Sequence, residues 1–312
     1  MFFTIGLPVT KIGFLKNTID SILNQSFSDF EVVIQNNASS PEDRIQIAEL
    51  IENYLGDVRF KYYENDRLLP IYDNFNKVLS RSAGQYFLIL SDDDNLTPDS
   101  LSNFYKLINS MPGLYVYHCR VKLINEKGEV TNYSPLCNNF ETLPDFLYHR
   151  LTIKRLQFLS DFVVDTAKLK SIGGFPTFPL GWGMDDLTWY LLGEKGIGYI
   201  SDIGLEYRVV TNNFSNSKQN FRLRLDDINF LYKQVSDIST SDIFTENSIY
   251  PLGMIKKAID KAKNKAFSYL FKLMSKGCSS FYMTRFYLSN RKEYNIPYSA
   301  LFYGFFNKFY KS

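Results

Sequence analysis

The sequence is short of the residues that build disulfide frameworks and zinc centres. Its 312 residues include three cysteines, Cys119, Cys137 and Cys278, far apart in the chain. An odd, scattered set argues against a disulfide scaffold and fits a reducing compartment. Two histidines, His118 and His149, are too few for an ordinary Cys/His zinc site. No apolar run reaches the ~18–20 residues that a membrane-spanning helix needs. The opening FFTIGLP has no charged leader, long apolar core or cleavage site, so it reads as a first strand and not as a signal peptide. Internal repeats and low-complexity tracts are also missing. These absences leave a cytoplasmic protein with one large α/β domain and an appendage, or two modest domains.

Aromatic residues are plentiful, with 27 Phe and 22 Tyr. The net charge of +2 hides a division. Residues 255–312 carry twelve Lys or Arg against two acids, a balance of +10, which leaves −8 for residues 1–254. A mildly acidic body therefore carries a basic, aromatic tail.

Strand and helix signals alternate over roughly the first 110 residues. Apolar runs lie at 2–7, stopping at Pro8, and at 30–35, 58–63 and 85–90. Between them come helical spacings. The first is Ile12, Leu15, Ile19, Ile22 and Leu23. In the second, Ser40 is the cap and Pro41 the first position, with Ile45, Ala48, Ile51 and Leu55 inward. The third, at about 70–82, turns Ile71, Phe75 and Val78 inward. This rhythm predicts a doubly wound, mostly parallel α/β sheet. Farther on, LYVYHCRV and the segment after Gly128 predict a hairpin. A helix is expected from near Asp185, then two strands near 197–202 and 204–210.

Two acidic clusters stand out. Asp92-Asp93-Asp94 follows an apolar strand, and open α/β sheets bind ligands at the carboxyl ends of their strands. Grouped carboxylates there suit Mg²⁺ or Mn²⁺ and a diphosphate leaving group, or they are a solvated loop that caps the next helix. Asp185-Asp186 follows GWG. A carboxylate there either caps a helix or serves as a general base for an acceptor hydroxyl. Trp182 offers a flat face to a sugar ring, or is a core residue.

PVT, SILNQSFSDFEVVIQNNAS and SAGQYFLILSDDDNL, followed by IGGFP, DDLTWYLLGEKGIGYI and LEYRV, resemble family 2 glycosyltransferases of the GT-A fold over roughly residues 2–215. The resemblance implies inverting transfer from a nucleotide-sugar donor to a glycan or lipid-linked acceptor, in cell-surface polysaccharide synthesis. It implies a catalytic domain over 1–215, with a donor half (1–110) and an acceptor half (111–215), then a helical region over 216–312. Asp93 falls on the metal-binding acid of the family motif, with Asp94 beside it, and Asp92 lies near the donor ribose. Pro8 and Thr10 fall in the first donor-binding loop. Asp186 matches the base, and Asp185 its neighbour toward the acceptor. Arg208 falls where it helps hold phosphate, or is a solvated or ion-paired strand residue. Asn36 stands where the family often has a base-reading Asp, Ser91 replaces a frequent first acid, and no His follows Arg208.

The tail places Ile259, Ala262, Ala266, Leu270 and Met274 on one helical face. It gathers Leu301, Phe302, Phe305, Phe306, Phe309 and Tyr310 beside Lys308 and Lys311. Such helices lie on a membrane surface, here the inner face of the cell membrane, or pack on the domain or on a second copy. No nucleic-acid module is recognisable. Two other readings stand beside the transferase: a GT-A-like binding module without turnover, and a nucleotidyltransferase. The latter lacks its Gly-rich phosphate loop, since PVTKIG has one Gly and one Lys.

Overall fold

A computed structural model describes residues 1–210, 220–246 and 248–310. Thr211, Lys311, the boundary expected after residue 215 and the side chains of Phe309 and Tyr310 lie outside what is described. The chain begins β1 (Phe3–Val9), α1 (Leu15–Leu23), β2 (Phe30–Asn36), α2 (Pro41–Glu52), β3 (Phe60–Glu64), α3 (Ile71–Ser80), β4 (Tyr86–Ile89), β5 (Asn95–Leu96) and α4 (Ser100–Ser110). It continues β6 (Val116–Ile124), β7 (Val130–Tyr133), β8 (Phe140–Glu141), α5 (Leu143–Leu151), β9 (Phe162–Asp165), α6 (Thr166–Ser171), α7 (Met184–Leu192) and β10 (Ile197–Arg208). Five helices follow: α8 (Phe221–Ile238), α9 (Ile243–Glu246), α10 (Leu252–Ser275), α11 (Ser280–Tyr294) and α12 (Tyr298–Tyr310).

One sheet holds the strands in the order β3-β2-β1-β4-β9-β6-β10-β5, with β7 on β6 and β8 on β10. β1, β2, β3, β4, β6 and β10 all run one way, and β9 opposes them between β4 and β6. The mostly parallel sheet expected from the alternating signals is present. Every residue of β1 and β2 is buried, as a parallel strand covered on both faces requires. Phe3, Ile5, Leu7, Val32 and Ile34 pack with residues of α1, α2 and α4 on one face. Phe87, Ile89, Phe162 and Val164 pack with α3, α5 and α7 on the other. At Gly6 any side chain would strike Val78 and Phe87, at 2.6 and 2.9 Å, so glycine is what lets α3 lie this close.

Some details differ from the sequence expectations. β1 runs through Pro8 to Val9; its strand pairing with β4 reaches only Gly6, so the missing proline N–H lies at an open edge and removes no ladder bond on that side. α2 starts at the expected Ser40 cap, whose Oγ accepts from Asp43 N–H at 3.0 Å. It buries Ile47 and Ile51 and leaves Ile45 exposed, while Leu55 lies beyond its end. β3 begins only at Phe60, and Val58 is 92% exposed. The two strands expected over 197–210 are one strand, β10, with register irregularities between Ile200 and Leu205.

The C-terminal helices share the core of the second face. Leu225, Ile228 and Leu231 of α8 and Ile259, Ala262, Ala266 and Leu270 of α10 are buried in it with Trp189 and Phe162. The apolar stripe read along α10 is thus spent on packing. No helix among the described residues is long and apolar enough to cross a membrane.

Candidate active site

The end of β4 delivers the first acidic cluster to the loop after β1, and three carboxylates of like charge divide the work there. One oxygen of Asp92 accepts from Thr10 N–H at 2.7 Å, Thr10 Oγ1 at 3.1 Å and Lys11 N–H at 3.1 Å. Burial raises its pKa, with the Thr10 N–H pulling the other way. Asp94 is fully buried. It accepts from Arg208 N–H at 3.0 Å and Ser160 Oγ at 2.7 Å. Burial, then the charge of Asp93, pushes it up to about 7. Of the three, Asp93 alone stays partly exposed, paired with the Lys11 ammonium at 3.1 Å. Burial disfavours that ammonium, but Asp93 and Asp92 outweigh it and its pKa is raised.

The other expected donor residues are bound into the scaffold. The Asn36 amide donates to Arg44 O and Tyr62 Oη at 3.1 and 2.9 Å and accepts from Ala38 N–H at 3.1 Å. Arg208 donates to Asp93 O and Asn125 O, each at 3.1 Å, and covers the Phe14 ring at 4.3 Å. Its guanidinium therefore staples the end of β10 to the acidic loop.

The second cluster opens α7. Gly183, at φ +82°, is the residue before the helix, and its left-handed backbone is open to glycine at little cost. Asp186 is gripped by side chains that sequence reading missed. Arg150 donates to both its oxygens, at 2.9 and 3.1 Å, and Gln157 adds a bond of 2.7 Å. Bidentate charge-assisted bonds of this kind fix a carboxylate in plane. Burial, then the adjacent charge of Asp186, raises the pKa of Asp185. No local motif marks Arg150 or Gln157, which come from the end of α5 and the loop after it.

A cleft of about 400 Å³ is lined by Arg150, Gln157, Trp182, Asp185, Asp186 and Tyr207, and by Ser91, the residue before the first cluster. Tyr207 reports the proximity of the two clusters: burial, then the charges of Asp94, Asp93 and Asp185, lifts its phenol to about 12. Trp182, expected at the acceptor, lines this cleft. Its loop is tied to α8 by Asp227, another residue missed from sequence, which accepts from Leu180 and Trp182 N–H at 3.1 Å each.

Among the described residues no group of three or more His, Cys, Asp or Glu is placed to hold a metal. The donor set still fits a hard cation of the Mg²⁺ type, which takes one or two protein carboxylates and completes its shell with substrate phosphate and water. Asp93 is the carboxylate placed for that. Asp94, expected beside it, has both oxygens occupied by protein donors.

Residues 11–168 match the model of Glycosyl transferase family 2. An uncharacterized glycosyltransferase of Methanocaldococcus jannaschii is 26% identical over 137 residues, 43% of this chain and 46% of the relative. The GalNAc(5)-diNAcBac-PP-undecaprenol beta-1,3-glucosyltransferase of Campylobacter jejuni is 30% identical over 118 residues, 38% of this chain and 36% of the relative. The matched stretch thus spans less than half the length of these relatives. Among solved structures, S. aureus TarS 1–349 with UDP-GlcNAc superposes with a TM-score of 0.63 at 15% identity, covering 95% of this chain and 88% of that one. The mannosyltransferase PcManGT of Pyrobaculum calidifontis, with GDP-Man and Mn²⁺, gives 0.53 at 13% identity, covering 99% and 87%. At these identities the likeness shows the fold, the GT-A arrangement expected from the sequence.

Proposed function

The chain belongs to glycosyl transferase family 2, and from that membership we propose that it transfers a sugar, with inversion, from a nucleoside-diphosphate sugar to a hydroxyl of a glycan or lipid-linked acceptor. One observation carries the reading: the Asp185-Asp186 pair, held by an arginine, lines a cleft whose wall also includes Ser91, next to the first acidic cluster, and Tyr207, which feels the charges of both clusters. The S. aureus structures contain UDP and UDP-GlcNAc, which supports a uridine donor as the first to test. The name of the Campylobacter relative supports a lipid-linked acceptor and a role in polysaccharide assembly.

In this reading Asp186 is the base. The acceptor hydroxyl gives it its proton as the oxygen bonds to the anomeric carbon, and the bond from that carbon to the diphosphate breaks on the opposite face. Arg150 and Gln157 hold the base in plane. Asp185 points the acceptor. Thr10 and Pro8 form the donor loop, which Asp92 locks from below. Arg208 and Asn36 shape the donor wall through their scaffold bonds. A divalent cation, Mn²⁺ or Mg²⁺, would be held by Asp93 and would neutralise the diphosphate. In this reading the exposed apolar residues of α11 and α12, not α8 and α10, work at the inner membrane face.

Calorimetry with UDP, GDP, CDP and dTDP, each with Mn²⁺ and with excess chelator, tests the donor site. One nucleotide is expected to bind in a metal-dependent way, and Asp93→Ala to lose most of that binding. A second reading, a donor-binding module without turnover, is favoured by the self-satisfied bonds of Asn36 and Arg208. Donor binding without transfer or slow donor hydrolysis would select it.

A further inference from the structure

A second cavity, of about 240 Å³, also has Asp186 in its wall. It shares Arg150, Trp182 and Asp186 with the cleft; Ile153 and Tyr190 add to its wall, and α8 and α10 supply most of the remainder, including Tyr232, Lys265, Ala266 and Tyr269. The volume is small beside the ~300–1,000 Å³ of a pocket that encloses a whole ligand. It suits one ring of a longer molecule whose next unit lies in the cleft. The lining has the character that a sugar ring needs. Aromatic rings offer flat apolar faces for the C–H bonds, and Arg150, Asp186 and Lys265 offer polar atoms for hydroxyls. At its lip Ile153 is 68% exposed and holds φ +62°. A β-branched residue is a genuine outlier in that region, and such strain clusters at functional sites.

We infer that this cavity is an acceptor subsite. It seats the pyranose ring next to the unit whose hydroxyl is attacked, so the acceptor is a chain of at least two sugars. The inference rests on the transferase reading, since Asp186 faces the reacting unit only if it is the base. It also gives the C-terminal helices a role in choosing the substrate, because α8 and α10 build much of the wall.

The test is binding of the full chain, with UDP and Mn²⁺ present, to an array of synthetic monosaccharides, disaccharides and longer glycans. Wild type is compared with Ala266→Trp, which fills the cavity, and Tyr269→Ala, which removes one ring at its edge. Nucleotide calorimetry runs on all three proteins. Glycans of two or more units are expected to be captured above monosaccharides. Both variants should weaken capture about tenfold with nucleotide binding kept. Equal capture of monosaccharides, capture indifferent to both variants, or no capture at all would overturn the subsite. Wild type that captures glycans but binds no nucleotide would sink the transferase reading and leave the sugar site standing.

Discussion

In the proposed mechanism Arg150 and Asp186 form the contact on which the chemistry turns. The guanidinium meets both carboxylate oxygens, and burial around the pair makes its charge consequential. Removing the guanidinium leaves Asp186 held by Gln157 alone. Turnover should therefore fall by ~10²-fold in Arg150→Ala, with nucleotide affinity kept, because the carboxylate is no longer fixed in place. Arg150→Lys should not restore it, because an ammonium cannot reproduce the planar fork. Turnover unmoved by both variants would show that Arg150 only packs. At this scale the sequence displayed the carboxylates and hid their division of labour. Asp92 and Asp94 are claimed by groups 82 and 114 residues away, at Thr10 and Arg208. Asp186 is claimed from 36 residues away. Such pairings leave no periodic trace in the chain.

Helices and loops were more legible, because their signals are local. The Ser40 cap, the α10 stripe and the hairpin after Gly128 all follow from neighbouring residues. The inward face of α2 did not, since it depends on how the helix meets the sheet. One joint between elements matters for the site: Asp227 of α8 holds the Trp182 loop through two N–H groups. Burial raises its pKa to about 6, with those N–H groups opposing. A carboxyl whose folded pKa lies above its unfolded value stabilises the fold at low pH. That contribution is fully present below about 3.8 and is lost as pH rises through about 6. Melting temperatures measured from pH 4 to 7 should fall more for wild type than for Asp227→Asn, which lacks the titration. Parallel curves would contradict this. Asp227→Ala should also cost about 1–3 kcal/mol through the orphaned N–H groups, as chemical denaturation would report.

Over the whole molecule the charge division seen in the sequence coincides with a difference in surface. The helical region buries its α10 stripe but exposes Phe281, Leu288 and Phe302, at 77%, 59% and 68%. Cys278 O accepts from Lys308, so the end of α12 lies beside the loop between α10 and α11, and Gly304 of α12 packs against Phe271 of α10. A balance of +10 over residues 255–312 opposes a second copy of the same surface and favours an anionic one. Co-sedimentation should show binding to phosphatidylglycerol vesicles that weakens with salt, little binding to phosphatidylcholine, and a loss in Phe302→Glu. A salt-resistant dimer in solution without vesicle binding would point to self-association instead. The sequence alone could not choose between packing and lipid contact for this tail, because only the fold reveals which apolar residues the core leaves over.

In the proposed mechanism Asp186 is the base that takes the proton of the acceptor hydroxyl. Turnover of the cognate nucleotide sugar by Asp186→Asn, measured beside its nucleotide affinity, tests this most directly. The account predicts a fall of ~10²–10⁴-fold in transfer with nucleotide affinity and melting temperature close to wild type. Transfer that survives the substitution would remove Asp186 from the base role and with it the mechanism.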